Sequence, residues 1–221
     1  MSTSPEAPVD RPLRVAALAS GRGSNLAALI AARLPVTFVL VGSDKAGAGA
    51  LTVAREADIP TLALNPRDYP TRPDFDRALF GHVADSGADL LVLAGYMRII
   101  DATVVAAWEG RAINIHPSLL PKHRGLHTHR QCLDAGDAEH GASVHFVTAE
   151  LDGGPVVAQA RIDVRPDDTE ASLAERLLVE EHALLPAVVR AIAAGRLRWQ
   201  GAPVFDGQLL TSPLTPAALA V

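Results

Sequence analysis

One cysteine, Cys132, stands among the 221 residues. That excludes an intramolecular disulfide and suits a reducing compartment. No apolar run reaches the length of a membrane span. The opening stretch, Met1 to Pro12, is polar and proline-containing, without the apolar core of a secretory signal. An excess of positive charge is also lacking: 20 Lys and Arg face 25 Asp and Glu, for a formal net charge of -5. This argues against a general nucleic-acid binder, which needs many phosphate contacts. It leaves open a small phosphorylated ligand, which needs only one local site. There is no internal repeat, low-complexity tract or convincing linker. What is there is ordinary for a globular protein, with 48% hydrophobic and 20% charged residues. The length suits one substantial α/β domain or two small ones. The expectation is a soluble cytoplasmic protein with a disordered tail over 1–12 and a single domain over 13–221.

Apolar runs alternate with amphipathic segments in the first half. Strands are expected over Leu13–Ala19, Val36–Val41, Pro60–Leu64 and Leu90–Leu93, with helices over Asn25–Arg33, Ala48–Ala57 and Asp74–Asp85. Leu90–Leu93 is wholly apolar, as in a sheet covered on both faces. This order implies a mostly parallel, Rossmann-like sheet with right-handed crossovers. The rhythm then changes. A short strand at Ala112–Ile115 leads into a loop rich in Pro, His and Gly that runs to Leu126, and a helix covers Thr128–Ala135. Ser143–Val147 and Val156–Val164, turned by Gly153-Gly154, read as an antiparallel addition to the sheet. A long helix is expected from Thr169 to Ala194, kinked at Pro186. The tail from Trp199 has weak strand signals, and the chain from Pro213 onward is expected to be loosely held.

Three stretches carry chemistry. Ser20-Gly-Arg-Gly-Ser-Asn25 follows the first strand and opens the first helix, where unpaired amides and the helix dipole favour an anion and glycines allow close approach. It is not a P-loop, and Leu26 stands where a dinucleotide fingerprint needs its third glycine; a plain tight turn is the bland alternative. In Asn114-Ile-His-Pro-Ser-Leu-Leu-Pro121, Asn114 and His116 lie two apart at a strand end and so share a face. An amide donor beside an imidazole suits a developing oxyanion and a proton transfer, although a structural hydrogen-bonded pair fits the spacing as well. His116 is expected in a loop mouth rather than a core. In Leu151-Asp-Gly-Gly-Pro155 the Asp is either turn chemistry or a carboxylate that orients His116.

Together these stretches, with Ala94-Gly-Tyr-Met-Arg-Ile99, Gly125-Leu-His-Thr-His-Arg130 and Gly141-Ala-Ser-Val-His-Phe-Val147 in the same order, resemble the folate-dependent phosphoribosylglycinamide formyltransferases. The resemblance spans Arg14 to Trp199. It implies a catalytic trio of Asn114, His116 and Asp152. It further implies a ribonucleotide site at Gly23, Ser24, Asn25 and Glu181. A folate site is implied at Arg72, Met97, Arg98, Ile99, Ile100, Asn114 and Thr148, Ala149, Glu150, Leu151 and Asp152. The implied reactants are glycinamide ribonucleotide and 10-formyltetrahydrofolate as co-substrate, with no metal, nucleic acid or membrane, in a monomer or homodimer. Arg22, Asp44 and the pair His123-Arg124 depart from the family pattern, the last towards methionyl-tRNA formyltransferases. Those enzymes and formyltetrahydrofolate hydrolases usually carry a further domain, for which this chain has no room.

The remaining candidates have plain readings. His123, His127 and His129 cluster in sequence, but without the spacing of a zinc site, and loop or capping roles are simpler. Cys132 lies in an amphipathic helix and reads as core. His145 falls on the strand face opposite Val144 and Phe146, where it either supports the site from behind or packs. Asp44 sits where a dinucleotide-binding acid would, without the glycine that motif requires. Glu181 lies within the apolar stripe Leu173, Leu177, Leu184, Leu185, Val188, Ile192. There it either pairs with a buried Arg or Lys or faces a substrate.

Overall fold

The computed structural model describes residues 11–220. Its first half alternates strand and helix: β1 (Leu13–Leu18), α1 (Ser24–Ala31), β2 (Val36–Ser43), α2 (Gly49–Glu56), β3 (Thr61–Ala63), α3 (Arg72–Asp85), β4 (Leu90–Leu93), α4 (Ala102–Ala106) and β5 (Ala112–His116). Then come α5 (Thr128–Ala135), β6 (Glu139–Phe146), β7 (Val156–Asp163) and α6 (Glu170–Ala193). Short β8 (Leu197–Trp199), β9 (Pro203–Phe205) and β10 (Gln208–Leu209) precede α7 (Pro216–Leu219).

Seven strands form one sheet in the order β3-β2-β1-β4-β5-β6-β7. Pairing is parallel from β3 through β5, and β6 runs antiparallel to both neighbours. The four apolar residues of β4 explain themselves: Leu90 and Val92 bury in the core under α1 and α6, Leu91 and Leu93 in the core under α3 and α4. A strand covered on both faces has no position left for a polar side chain. The chain winds outward from β1 to β3, then returns to place β4 on the other side of β1. The sheet therefore changes winding direction between β1 and β4, and the carboxyl ends there are where an open α/β sheet offers a crevice.

Several expectations are corrected. β6 starts at Glu139 rather than Ser143, because His140 and Gly141 are buried partners of β7. α4 was not expected; Ala102-Thr-Val-Val-Ala106 is short and β-branched, and it is capped by the Asp101 side chain accepting from the Thr103 amide. The long helix stands as expected, with Pro186 inside α6, and is opened by a capping box between Thr169 and Ser172. The chain beyond Pro213 is docked, not loose: the Leu214 amide donates to Val157, its carbonyl accepts from Gln159, and Leu219 is buried. Of the tail expected over 1–12, residues 1–10 lie outside the described residues, and Arg11 pairs with Asp89 at 2.7 Å. Among the described residues no helix is long and apolar enough to cross a membrane.

Candidate active site

The loop after β1 is shaped by backbone. Gly23 has φ 85° at the start of α1, and a Cβ there would lie 2.5 Å from the Cα of Ala50. Only glycine fits so close beneath α2. No side chain caps α1, so its first-turn amides are available to an external acceptor. The Ser20 amide donates to the Gly95 carbonyl at 3.0 Å, and its hydroxyl accepts from the Met97 amide at 3.0 Å, which ties this loop to the one after β4.

Behind the loop, the Asn25 side chain donates from Nδ2 to Glu181 Oε2 at 2.7 Å. Both residues are buried, and Asn25 Oδ1 has no partner. Burial raises the Glu181 pKa, opposed by the bond from Asn25. The apolar stripe of α6 thus delivers its one carboxylate to the β1 loop, and its partner is an amide rather than Arg or Lys.

Asn114 and His116 end β5, on one face as their spacing implies. His116 is buried at 5% exposure, which corrects the expectation of a loop mouth. Its Nε2 lies 2.9 Å from the His123 carbonyl and its Nδ1 3.6 Å from Asp152 Oδ2. Both ring nitrogens therefore face oxygen atoms, one at hydrogen-bond distance. Asp152 adopts φ 48°, and its Oδ2 accepts from the Gly125 amide at 2.9 Å. The turn that holds it depends on Gly154, where a Cβ would lie 1.8 Å from the Phe146 carbonyl oxygen.

His145 is the residue the sequence underrated. It stands directly across from Asn114 in the β5–β6 register. Its Nδ1 donates to the Phe146 carbonyl at 2.9 Å, and burial lowers its pKa and keeps it neutral. Nε2 is then an acceptor, receiving the Asn114 side-chain N–H at 3.0 Å. This bond fixes which end of the Asn114 amide is nitrogen and leaves its second N–H to serve a ligand. His145 Nε2 also lies 3.8 Å from Asp152 Oδ1, so one side chain touches two members of the expected trio. No spacing rule shows this, because cross-strand register is set by the fold.

An open cleft adjoins these groups. Leu93, Tyr96, Val105 and Val147 form its apolar part, and Asn114, His145 and Asp152 its polar end. Of the residues expected at a folate, Arg98, Ile99, Ile100, Asn114 and Thr148 through Asp152 line it. Arg72 and Met97 do not: Arg72 begins α3, and Met97 is 62% exposed beside the β1 loop. Arg124 and Glu150 form an ion pair that ties the loop after β5 to the loop after β6.

The clustered histidines separate. His123 pairs with Asp137 at 2.7 Å, His129 Nδ1 lies 3.0 Å from His140 Nε2, and His127 takes φ 59° just before α5. Burial lowers the pKa of His140 to about 4. Cys132 is fully buried in α5, and burial raises its thiol pKa. Asp44 is buried with Oδ1 unpartnered.

Comparison with known proteins meets this geometry from another side. The profile of the formyl transferase family matches residues 13–189. The chain belongs to the formyl transferase family. Among curated members, phosphoribosylglycinamide formyltransferase of Escherichia coli is 46% identical over 203 residues, covering 90% of this chain and 96% of that one. The human trifunctional purine biosynthetic protein adenosine-3 is 40% identical over 189 residues, 84% of this chain but 19% of that protein. A solved phosphoribosylglycinamide formyltransferase from Coxiella burnetii superposes with a TM-score of 0.88 at 42% identity, over 93% of this chain and 99% of that chain. The mostly parallel sheet with its antiparallel addition is thus a shared property of these formyl transferases.

Proposed function

We propose that this chain transfers the formyl group of 10-formyltetrahydrofolate to the amine of glycinamide ribonucleotide, a step of purine biosynthesis that yields formylglycinamide ribonucleotide and tetrahydrofolate. The observation that carries this reading is that Asn114 and Asp152 line one cleft and the buried His116, two residues after Asn114, brings its Nδ1 to 3.6 Å from Asp152. The likeness to enzymes of that name supports the choice of substrates.

The amine attacks the formyl carbon, and the formyl oxygen takes up negative charge. The free N–H of Asn114 and the Nε2–H of His116 donate to that oxygen, His116 exchanging its bond to the His123 carbonyl for the substrate. The carbon–nitrogen bond to folate then breaks, and the departing folate nitrogen takes its proton by way of His116. The amine's own proton leaves to solvent. Asp152 holds His116 in place. The scheme uses no metal and no covalent enzyme intermediate. The phosphate lies on the amides of Gly23, Ser24 and Asn25, with Glu181 serving the same ribonucleotide. The pterin end of folate lies against Arg98, Ile99, Ile100 and the segment Thr148 to Asp152, with Arg72 and Met97 outside the cleft wall. Residues 13–221 act as one domain, as a monomer or homodimer in the cytoplasm, on small molecules without nucleic acid or membrane.

The test is product identification after incubation of the purified protein with both substrates. The expected product is formylglycinamide ribonucleotide, formed without ATP, formate or added metal. An absolute requirement for ATP and formate sinks the assignment.

A further inference from the structure

The proposed reaction leaves unused a group of three donors behind the catalytic histidine. His123, Cys132 and Asp137 offer one ligand atom each, all within 4.8 Å of one another. They come from three pieces of chain: the loop after β5, the middle of α5 and the turn that follows it. That turn is built to bring two of them together, since Gly136 ends α5 at φ 65° and the Asp137 amide donates back to the Cys132 carbonyl at 3.2 Å. The third arrives through the strained backbone of His123, at φ 53°.

We propose that His123 Nε2, Cys132 Sγ and Asp137 Oδ2 form a binding site for a thiophilic divalent cation of the zinc type. Nitrogen, sulfur and carboxylate oxygen are the donors zinc takes, and three of them with one open position is a common arrangement. A thiolate in the set selects against magnesium and calcium, which favour oxygen alone. Cys132 is fully buried, whereas the His123 and Asp137 side chains are 14% and 17% exposed. The fourth position therefore opens to solvent on their side. Asp137 keeps its other oxygen, Oδ1, for Lys122 at 2.7 Å. On binding, the thiol proton leaves to solvent and a sulfur–metal bond replaces it, while the metal takes the place of the proton between His123 and Asp137.

The site bears on catalysis through the backbone. The carbonyl of His123 contacts His116 Nε2, and the amide of Gly125, two residues on, holds Asp152. A cation that draws the His123 ring towards Cys132 moves both supports of the catalytic pair.

The experiment uses the full chain titrated with Zn2+ in a calorimeter and with Co2+ in an absorption cell. One equivalent binds, Co2+ gives a thiolate charge-transfer band, and Cys132→Ala abolishes that band and weakens Zn2+ by roughly a hundred-fold or more, beyond the effect of losing an outer support. Asp137→Asn, at a partly exposed side chain, gives the same direction of change if the buried alanine variant fails to fold. Absence of stoichiometric binding overturns the proposal. So does a Co2+ spectrum unchanged by Cys132→Ala. Neither readout depends on turnover, so the transferase assignment stands or falls separately.

Discussion

At the carboxyl end of β1 the groups facing a ligand are backbone amides, and at the carboxyl end of β5 they are side chains. The first site needs an N-terminal helical turn with nothing capping it and a glycine that lets α2 lie against it. The second needs two antiparallel strands whose register puts Asn114 opposite His145, and a turn that carries Asp152 back over His116. Backbone amides hold an anion of fixed shape throughout a reaction. Titratable side chains exchange partners and protons. On the proposed function, holding is done at the end of β1, and chemistry where the last parallel strand, β5, meets the antiparallel addition.

If that division is right, the largest effect comes from His116→Ala. Turnover falls by roughly a hundred-fold to ten-thousand-fold, the range for a proton-transferring group, with little change in the KM of either substrate. Because His116 is buried rather than in a loop mouth, circular dichroism must first show a folded variant. Gly23→Ala breaks the other side. A Cβ meets Ala50 and the positive φ disfavours any side chain, so the KM for the ribonucleotide rises by about ten-fold or more, while the KM for folate is held. Steady-state kinetics with each substrate varied in turn separates the two patterns.

His145→Phe sharpens the account within the second region. It keeps the packing volume but removes the acceptor that orients Asn114, and a net hydrogen bond of about 1 kcal/mol predicts a loss of turnover near five- to ten-fold. Rates equal to the parent make His145 a packing residue only.

The smallest effect is expected from Glu181→Gln, read through pH. Burial raises the folded-state pKa of Glu181 above the ordinary value of 4.5. The folded chain then binds more protons than the unfolded one above pH 4.5, so its stability falls as pH rises through the folded value. Glutamine keeps the bond to Asn25 without that ionisation. The thermal midpoint of the variant should therefore gain on the parent as pH rises from 4.5 towards neutrality, while affinity for the ribonucleotide weakens far more than affinity for folate. A midpoint difference that does not vary with pH contradicts the burial argument.

Elements were legible in both halves, β4 and α5 with the bounds observed. Leu90–Leu93 has four apolar residues because both faces are covered, and its bounds were read without error. β6 was read too short because His140 and Gly141 break the apolar pattern while lying buried in the ladder. α4 escaped because five residues make little more than one helical turn, too short for an apolar repeat to show. At the site, motif order named Asn114, His116 and Asp152, which lie together. The supports were hidden: the His123 carbonyl and the Gly125 amide are backbone groups, identical in every residue, and only the folded path of the loop places them. Glu181 was legible for a physical reason, since a carboxylate inside an apolar stripe has to meet something polar, although the partner, Asn25, was not.

The division between holding and chemistry is tested most directly by calorimetric binding of glycinamide ribonucleotide to the parent protein, Gly23→Ala and His116→Ala. The account predicts that His116→Ala binds within about two-fold of the parent while Gly23→Ala loses about ten-fold or more. Loss of binding in His116→Ala as large as in Gly23→Ala would contradict it.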